Sequence, residues 1–130
     1  MKVKTLDVIR RKRKESALAC ALWMSRALLF VARFGSRLIE RPGSTPTDVA
    51  KEVYTEVLRP YHGFIIASIV SMAFSLAPSR VEFFNRIGGC TEEECAATGE
   101  LHAFVTHVLP LVEAYHNYFV SRGWNFPDMA

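Results

Sequence analysis

The sequence predicts an all-α protein, on three observations. Apolar residues recur three and four apart over long stretches, Pro and Gly cluster between those stretches, and no segment alternates apolar with polar residues as a half-buried strand does. The 130 residues suit one domain, with a basic segment over residues 1–15 ahead of a helical domain over residues 16–130.

Within residues 16–40, Leu18, Leu22, Leu29, Val31 and Leu38 join Trp23, Phe30 and Phe34 at apolar positions, while Arg26, Arg33 and Arg37 recur at helical spacing. This predicts an amphipathic helix with an arginine stripe on its polar side. Pro42, Gly43, Ser44 and Pro46 break the chain. Thr47 or Asp48 is the expected N-cap of a second helix, whose apolar face is Val49, Val53, Tyr54, Val57 and Leu58.

Pro60 ends or kinks that helix and suits the first position of a third, expected from Tyr61 to about Leu76. This third helix is apolar nearly all round, so burial is expected. Pro78 stops it. A short helix over residues 79–87 follows, with Val81, Phe83, Phe84 and Ile87 apolar, and Gly88 and Gly89 as its stop. Thr91-Glu92-Glu93-Glu94 has the form of a capping box, opening a long helix expected to reach about Arg122, with Pro110 bending it and Gly123 ending it. The aromatic tail Trp124-Asn125-Phe126-Pro127 is expected to fold back onto the body.

Composition narrows the function. Half of the residues are hydrophobic and the mean hydropathy is +0.12, more apolar than a helical core of this size requires. The surplus can line a pocket, cover an oligomer interface or face a membrane. The first 15 residues carry a net +5, leaving −2 for the rest. Such a cluster suits an anionic membrane surface, nucleic acid or plain solvent. No aromatic interleaves Arg10–Lys14, so a nucleic-acid stacking platform is not expected. Cys20, Cys90 and Cys95 form no CxxC pair, which argues against a disulfide framework or zinc site and for a reducing, cytoplasmic setting. The longest uncharged apolar run, residues 64–77, is 14 long, short of the roughly 20 a spanning helix needs.

Catalytic constellations are missing from the pattern. His102 and His107 are five apart and no HExxH occurs; His102 and His116 share a helix face but lie about 21 Å apart at the helix rise. There is no GxSxG, P-loop or GxGxxG, so no enzyme and no metal or cofactor is expected. What remains is aromatic and polar residues on apolar helices. Trp23, with Arg26 one turn on, can be a platform for a sugar ring or an ordinary core Trp. His62, between a Pro-Tyr break and an apolar helix, can donate to an amide carbonyl or serve as a cap.

The segment Ala21-Leu22-Trp23-Met24-Ser25-Arg26-Ala27-Leu28-Leu29-Phe30-Val31 resembles the Leu-Trp-Leu-Lys-Arg-Gly-Leu helix of the glycolipid transfer protein family. Tyr54, Leu58, Tyr61, His62, Gly63 and Phe64 resemble its Tyr-x-x-x-Leu-x-x-Tyr-His-Gly-Trp stretch. Ala77-Pro78 and Phe83 resemble the family's next turn and short helix, and Thr91-Glu92-Glu93-Glu94-Cys95 resembles the opening of its last long helix. The resemblance implies a two-layer helical sandwich that holds one sphingolipid, its headgroup outside and its chains in an apolar pocket. It implies that Trp23 stacks on the first sugar, that His62 bonds the ceramide amide carbonyl, and that Phe64 dips into a membrane. Phe30, Phe34 and Val70 would line the chain pocket. Relatives that bind ceramide phosphate carry Arg at the positions of Trp23 and Ala19, so a neutral glycosyl headgroup is implied here.

The family also places helices ahead of the Trp helix, one with an Asp-x-x-x-Asn-x-x-Lys headgroup motif; about 15 residues stand there in this chain, so the sandwich is expected without its N-terminal helices. Asp7, Arg11 and Lys14 repeat the motif's spacing, yet Asp7 and Trp23 on one helix would lie roughly 24 Å apart. The uncovered layer would expose apolar surface suited to a membrane or a second copy in a homodimer.

Overall fold

The computed structural model describes Val8, residues 16–88 and residues 99–126. Five α-helices order those residues: α1 (Ala17–Glu40), α2 (Pro46–Val57), α3 (Phe64–Phe74), α4 (Arg80–Gly88) and α5 (Glu100–Ser121). No strand occurs among them. The central helix is α1, between α2 and α5; α3 packs chiefly on α2, and α4 on α5. The sequence-based Thr91–Glu94 capping box and the Gly89 stop lie outside the described residues.

Helix α1 starts where the Ser16 side chain accepts from the Ala19 N–H, the usual service of an N-cap. Its Leu29 and Leu38 meet Val49, Val53 and Val57 of α2, Phe84 of α4 and Val112 of α5 in one buried cluster. Gly35 permits the closest approach to α5: a Cβ there would stand 3.2 Å from Val105 Cγ2 and 3.3 Å from Leu101 Cδ1. At 24 residues α1 has the length and composition of a spanning helix, and its Leu22, Leu29 and Leu38 are buried inside the protein. On the surface, Arg37 forks onto Glu56 at 2.8 and 3.0 Å and Arg41 reaches Glu52 at 2.7 Å. Such exposed pairs contribute at most about 1 kcal/mol each.

The cap of α2 lies two to three residues earlier than expected. Thr45, not Thr47 or Asp48, is the cap: its hydroxyl accepts from the Asp48 N–H and Pro46 takes the first helical position, where its missing N–H costs nothing. Thr47 instead donates to the Phe74 carbonyl at 3.1 Å, satisfying an orphan acceptor at the end of α3. A comparable service falls to Arg80, whose guanidinium donates to the carbonyls of Leu38, Arg41 and Ser44. It pins the end of α1 and the loop after it. At the start of α4, Ser79 and Glu82 exchange side-chain and backbone bonds as a capping box.

Two further expectations are corrected. The third helix does not run from Tyr61: Arg59–Tyr61 form a 3-10 turn, His62 is extended and Gly63 caps α3. Pro60 therefore serves the turn, with Tyr61 and His62 N–H groups bonding the carbonyls three residues back. Nor is α3 buried. Only Ala67 is, while Phe64, Ile65 and Met72 are 80%, 74% and 71% exposed. Hydropathy reports that a helix avoids water, not that a neighbour exists to cover it, and among the described residues α3's outer face has no cover. Exposed apolar surface of the kind the resemblance implied is thus found on α3.

The last helix runs through Pro110 and stops at Gly123, whose φ of +70° is left-handed backbone that glycine adopts without a Cβ clash. The chain then turns back as expected, Trp124 packing edge-on against Tyr118 and Phe119.

Candidate functional site

The break at His62 points its side chain back toward α1 and α2. Its ring stacks on Trp23, with centroids 5.7 Å apart and planes 16° from parallel, and its Nδ1 is 2.7 Å from the Tyr54 hydroxyl. The two residues singled out from the sequence are thus in direct contact. Tyr54, taken there as part of an apolar helix face, is the residue that holds the imidazole. Burial, followed by the nearby Arg59 cation, pushes the His62 pKa down, which favours the neutral ring at pH 7. Burial likewise pushes the Tyr54 phenol up and keeps its proton on.

Beside this pair lies a second network. Arg26 is 1% exposed, which corrects its placement in a polar stripe. Its guanidinium lies 3.5 Å from the Tyr61 ring centroid and 4.8 Å from that of Trp23, and donates to Asn125 Oδ1 and the Phe126 carbonyl. Asn125 also donates to the Tyr61 hydroxyl at 3.1 Å. The returning tail supplies acceptors that periodicity within α1 could not foresee. Charge-assisted bonds and two aromatic faces make this burial tolerable. Immediately before Arg26, Ser25 donates to the Leu22 carbonyl and meets His116 Nδ1 at 3.3 Å; burial, then Arg26 and Arg33, push the His116 pKa down.

Behind Tyr54 the side chains become wholly apolar. Phe74 stands edge-on to Tyr54 at 5.6 Å and stacks on Phe30 at 5.8 Å, and Phe30 stacks on Phe34. These phenylalanines, with Pro46, Ala50, Ala77, Pro78 and Phe83, line a cavity of about 220 Å³. Of the three residues expected at a chain pocket, Phe30 and Phe34 line this cavity, whereas Val70 is half-buried and does not. Phe64 stands exposed at the start of α3. Asp7, Arg11 and Lys14 lie outside the described residues.

Fold and site together define a helical protein with a polar aromatic cluster leading into an apolar cavity. The chain belongs to the glycolipid transfer protein family, whose sequence profile matches residues 3–89. Glycolipid transfer protein 3 of Arabidopsis thaliana is 23% identical over 119 residues, which is 86% of this chain and 51% of that protein. Accelerated cell death 11 of the same plant is 31% identical over 75 residues, or 58% of this chain and 35% of that one. A crystal structure of a mutant of the latter, complexed with C12 ceramide-1-phosphate, superimposes with a TM-score of 0.72 at 22% identity, covering 94% of this chain and 61% of the other. That likeness shows the two-layer helical sandwich. The chain spans about half the length of the curated relatives it matches.

Proposed function

We propose that this chain is a non-enzymatic sphingolipid-binding protein that carries its ligand between cytoplasmic membrane faces, with the headgroup at Trp23 and His62 and hydrocarbon in the cavity beside Phe30 and Phe34. The observation that carries this reading is the unbroken line of rings from Trp23 through His62, Tyr54 and Phe74 to Phe30. A polar end and a dry end joined this way suit an amphiphile better than any soluble metabolite. With the Tyr54 phenol donating to Nδ1, the tautomer assigned to His62 carries its proton on Nε2, facing a ligand amide carbonyl as a donor.

The ring contacts refine the headgroup reading. Trp23 already holds His62 on its ring and is half-buried, so a sugar stacks on the portion of the indole that His62 leaves open. Arg26 is committed to Asn125 and Phe126, and position 19 is an uncharged alanine, so neither supplies a cation for a phosphate. Both points favour a neutral glycosyl headgroup in this chain. Phe64 enters the bilayer during exchange.

Transfer of fluorescent glucosylceramide and fluorescent ceramide phosphate between vesicles tests the reading. Wild type is expected to prefer the glycosylated lipid, with Trp23→Ala and His62→Leu each losing it. A well-folded sample that neither binds nor moves either lipid would sink the proposal. In that event the exposed α3 face favours a helical interaction module on the same scaffold, which would keep its partner in both variants.

A further inference from the structure

A second concavity, of about 350 Å³, lies between α2 and α3. Lys51, Thr55 and Arg59, each four residues from the next, approach Ala67, Ser71 and Phe74 across it. Among the described residues no carboxylate lines it. The two nearest glutamates of α2, Glu52 and Glu56, are engaged with Arg37 and Arg41 of α1. The Lys51 ammonium has no hydrogen bond or ion pair among the described residues, and Arg59 spends one N–H group on the His62 carbonyl. The cleft therefore offers two cations and the Ser71 hydroxyl to an incoming group, a donor set that matches phosphate oxygens.

What adjoins the cleft identifies the carrier of that phosphate. Phe64, Ala67, Ser71 and Phe74 follow one another at spacings of three and four, so they form one row along α3, with Phe64 at its exposed end. Around the same helix Ile65, Ile69 and Met72 stand in water, and Leu76 just beyond it is 84% exposed. Unpaired cations next to an uncovered apolar helix face match a bilayer, where the apolar side chains reach the acyl boundary and the cations meet anionic headgroups.

We propose that the α2–α3 cleft seats the phosphate of an anionic phospholipid at the membrane surface, through Lys51, Arg59 and Ser71, while the apolar face of α3 enters the bilayer beside it. The site uses neither Trp23 nor His62, while Tyr54 and Phe74 border both this cleft and the sphingolipid site. Its occupant stays in the membrane as the docking point.

Flotation with phosphatidylcholine vesicles, with and without phosphatidylglycerol and free of sphingolipid, tests this apart from the transfer reading. Wild type is expected to bind more tightly when phosphatidylglycerol is present. Lys51→Gln with Arg59→Gln is expected to lose about fivefold per cation on those vesicles, with binding to phosphatidylcholine alone unchanged and Lys51→Arg close to wild type. Arg86→Gln, an exposed cation on α4, controls for net charge, including that of the basic N-terminal segment. If Arg86→Gln costs as much as Lys51→Gln, or the double variant binds phosphatidylglycerol vesicles as wild type does, the proposal is overturned. Should the double variant unfold, Lys51→Gln alone carries the test, since Lys51 is exposed and its ammonium has no hydrogen bond or ion pair among the described residues.

Discussion

Replacing Tyr54 by Phe removes a single oxygen from the residue that links the polar and apolar ends of the candidate site. Tyr54 is 5% exposed, so its hydroxyl bond to His62 Nδ1 at 2.7 Å has little water to replace it. The ring contacts with Phe74 and His62 survive the change. The variant loses one neutral hydrogen bond and leaves an imidazole nitrogen unmet, together about 1–2 kcal/mol. For a domain of this size that lowers Tm by roughly 3–8 °C. If the phenol fixes the Nε2–H tautomer, the variant also weakens sphingolipid binding, by about fivefold for one impaired hydrogen bond. Nitrogen-15 spectra of the imidazole report the tautomer directly, calorimetry the stability and vesicle assays the affinity. A wild-type ring protonated on Nδ1, or a variant with unchanged Tm and affinity, would refute the reasoning.

Three other perturbations act through named contacts. Arg80→Ala strips donors from three carbonyls at the end of α1 and the loop after it, and is expected to cost about 2 kcal/mol by urea unfolding; a change within about 0.5 kcal/mol would mean that water replaces it. Phe84→Ala empties a fully buried site where α4 meets the core and is expected to cost about 3–5 kcal/mol with an unchanged m-value. His62 and His116 both have pKa values depressed by burial and neighbouring arginines, so the folded state binds fewer protons than the unfolded one near their ordinary value. Their stabilisation is complete above about pH 6.5 and lost as pH falls through the folded values. The urea midpoint should drop between about pH 7.5 and about pH 5.5, and the drop should shrink in a His62→Gln, His116→Gln double variant; a flat profile would contradict the burial of both rings.

Much of the helical layout was legible because its signals are local. The Pro42–Pro46 break, Pro78 and Gly123 act on backbone within a turn or so of themselves, and the structure places helix ends at or near each. The errors arose where two local signals competed. At Pro46 the Thr45 hydroxyl takes the Asp48 N–H while Thr47 turns to the Phe74 carbonyl, and at Pro60 the same residue that can open a helix instead closes a turn. Arg80 illustrates the opposite difficulty: a cation opening a helix opposes the dipole, and only the carbonyls gathered from α1 and its loop explain it.

Within the candidate site, sequence alone dictates residue chemistry and the helix on which each group sits: an indole on α1, an imidazole at a chain break, phenylalanines spaced for one face. Tertiary packing dictates that Trp23 and His62 stack, that Tyr54 holds the imidazole, and that Arg26 is buried beneath the returning tail. It also leaves α3 uncovered. Helix propensity and capping are settled over a few residues, whereas burial and long-range hydrogen bonds require partners separated by as many as 100 residues, and no periodicity within one helix specifies which partner arrives.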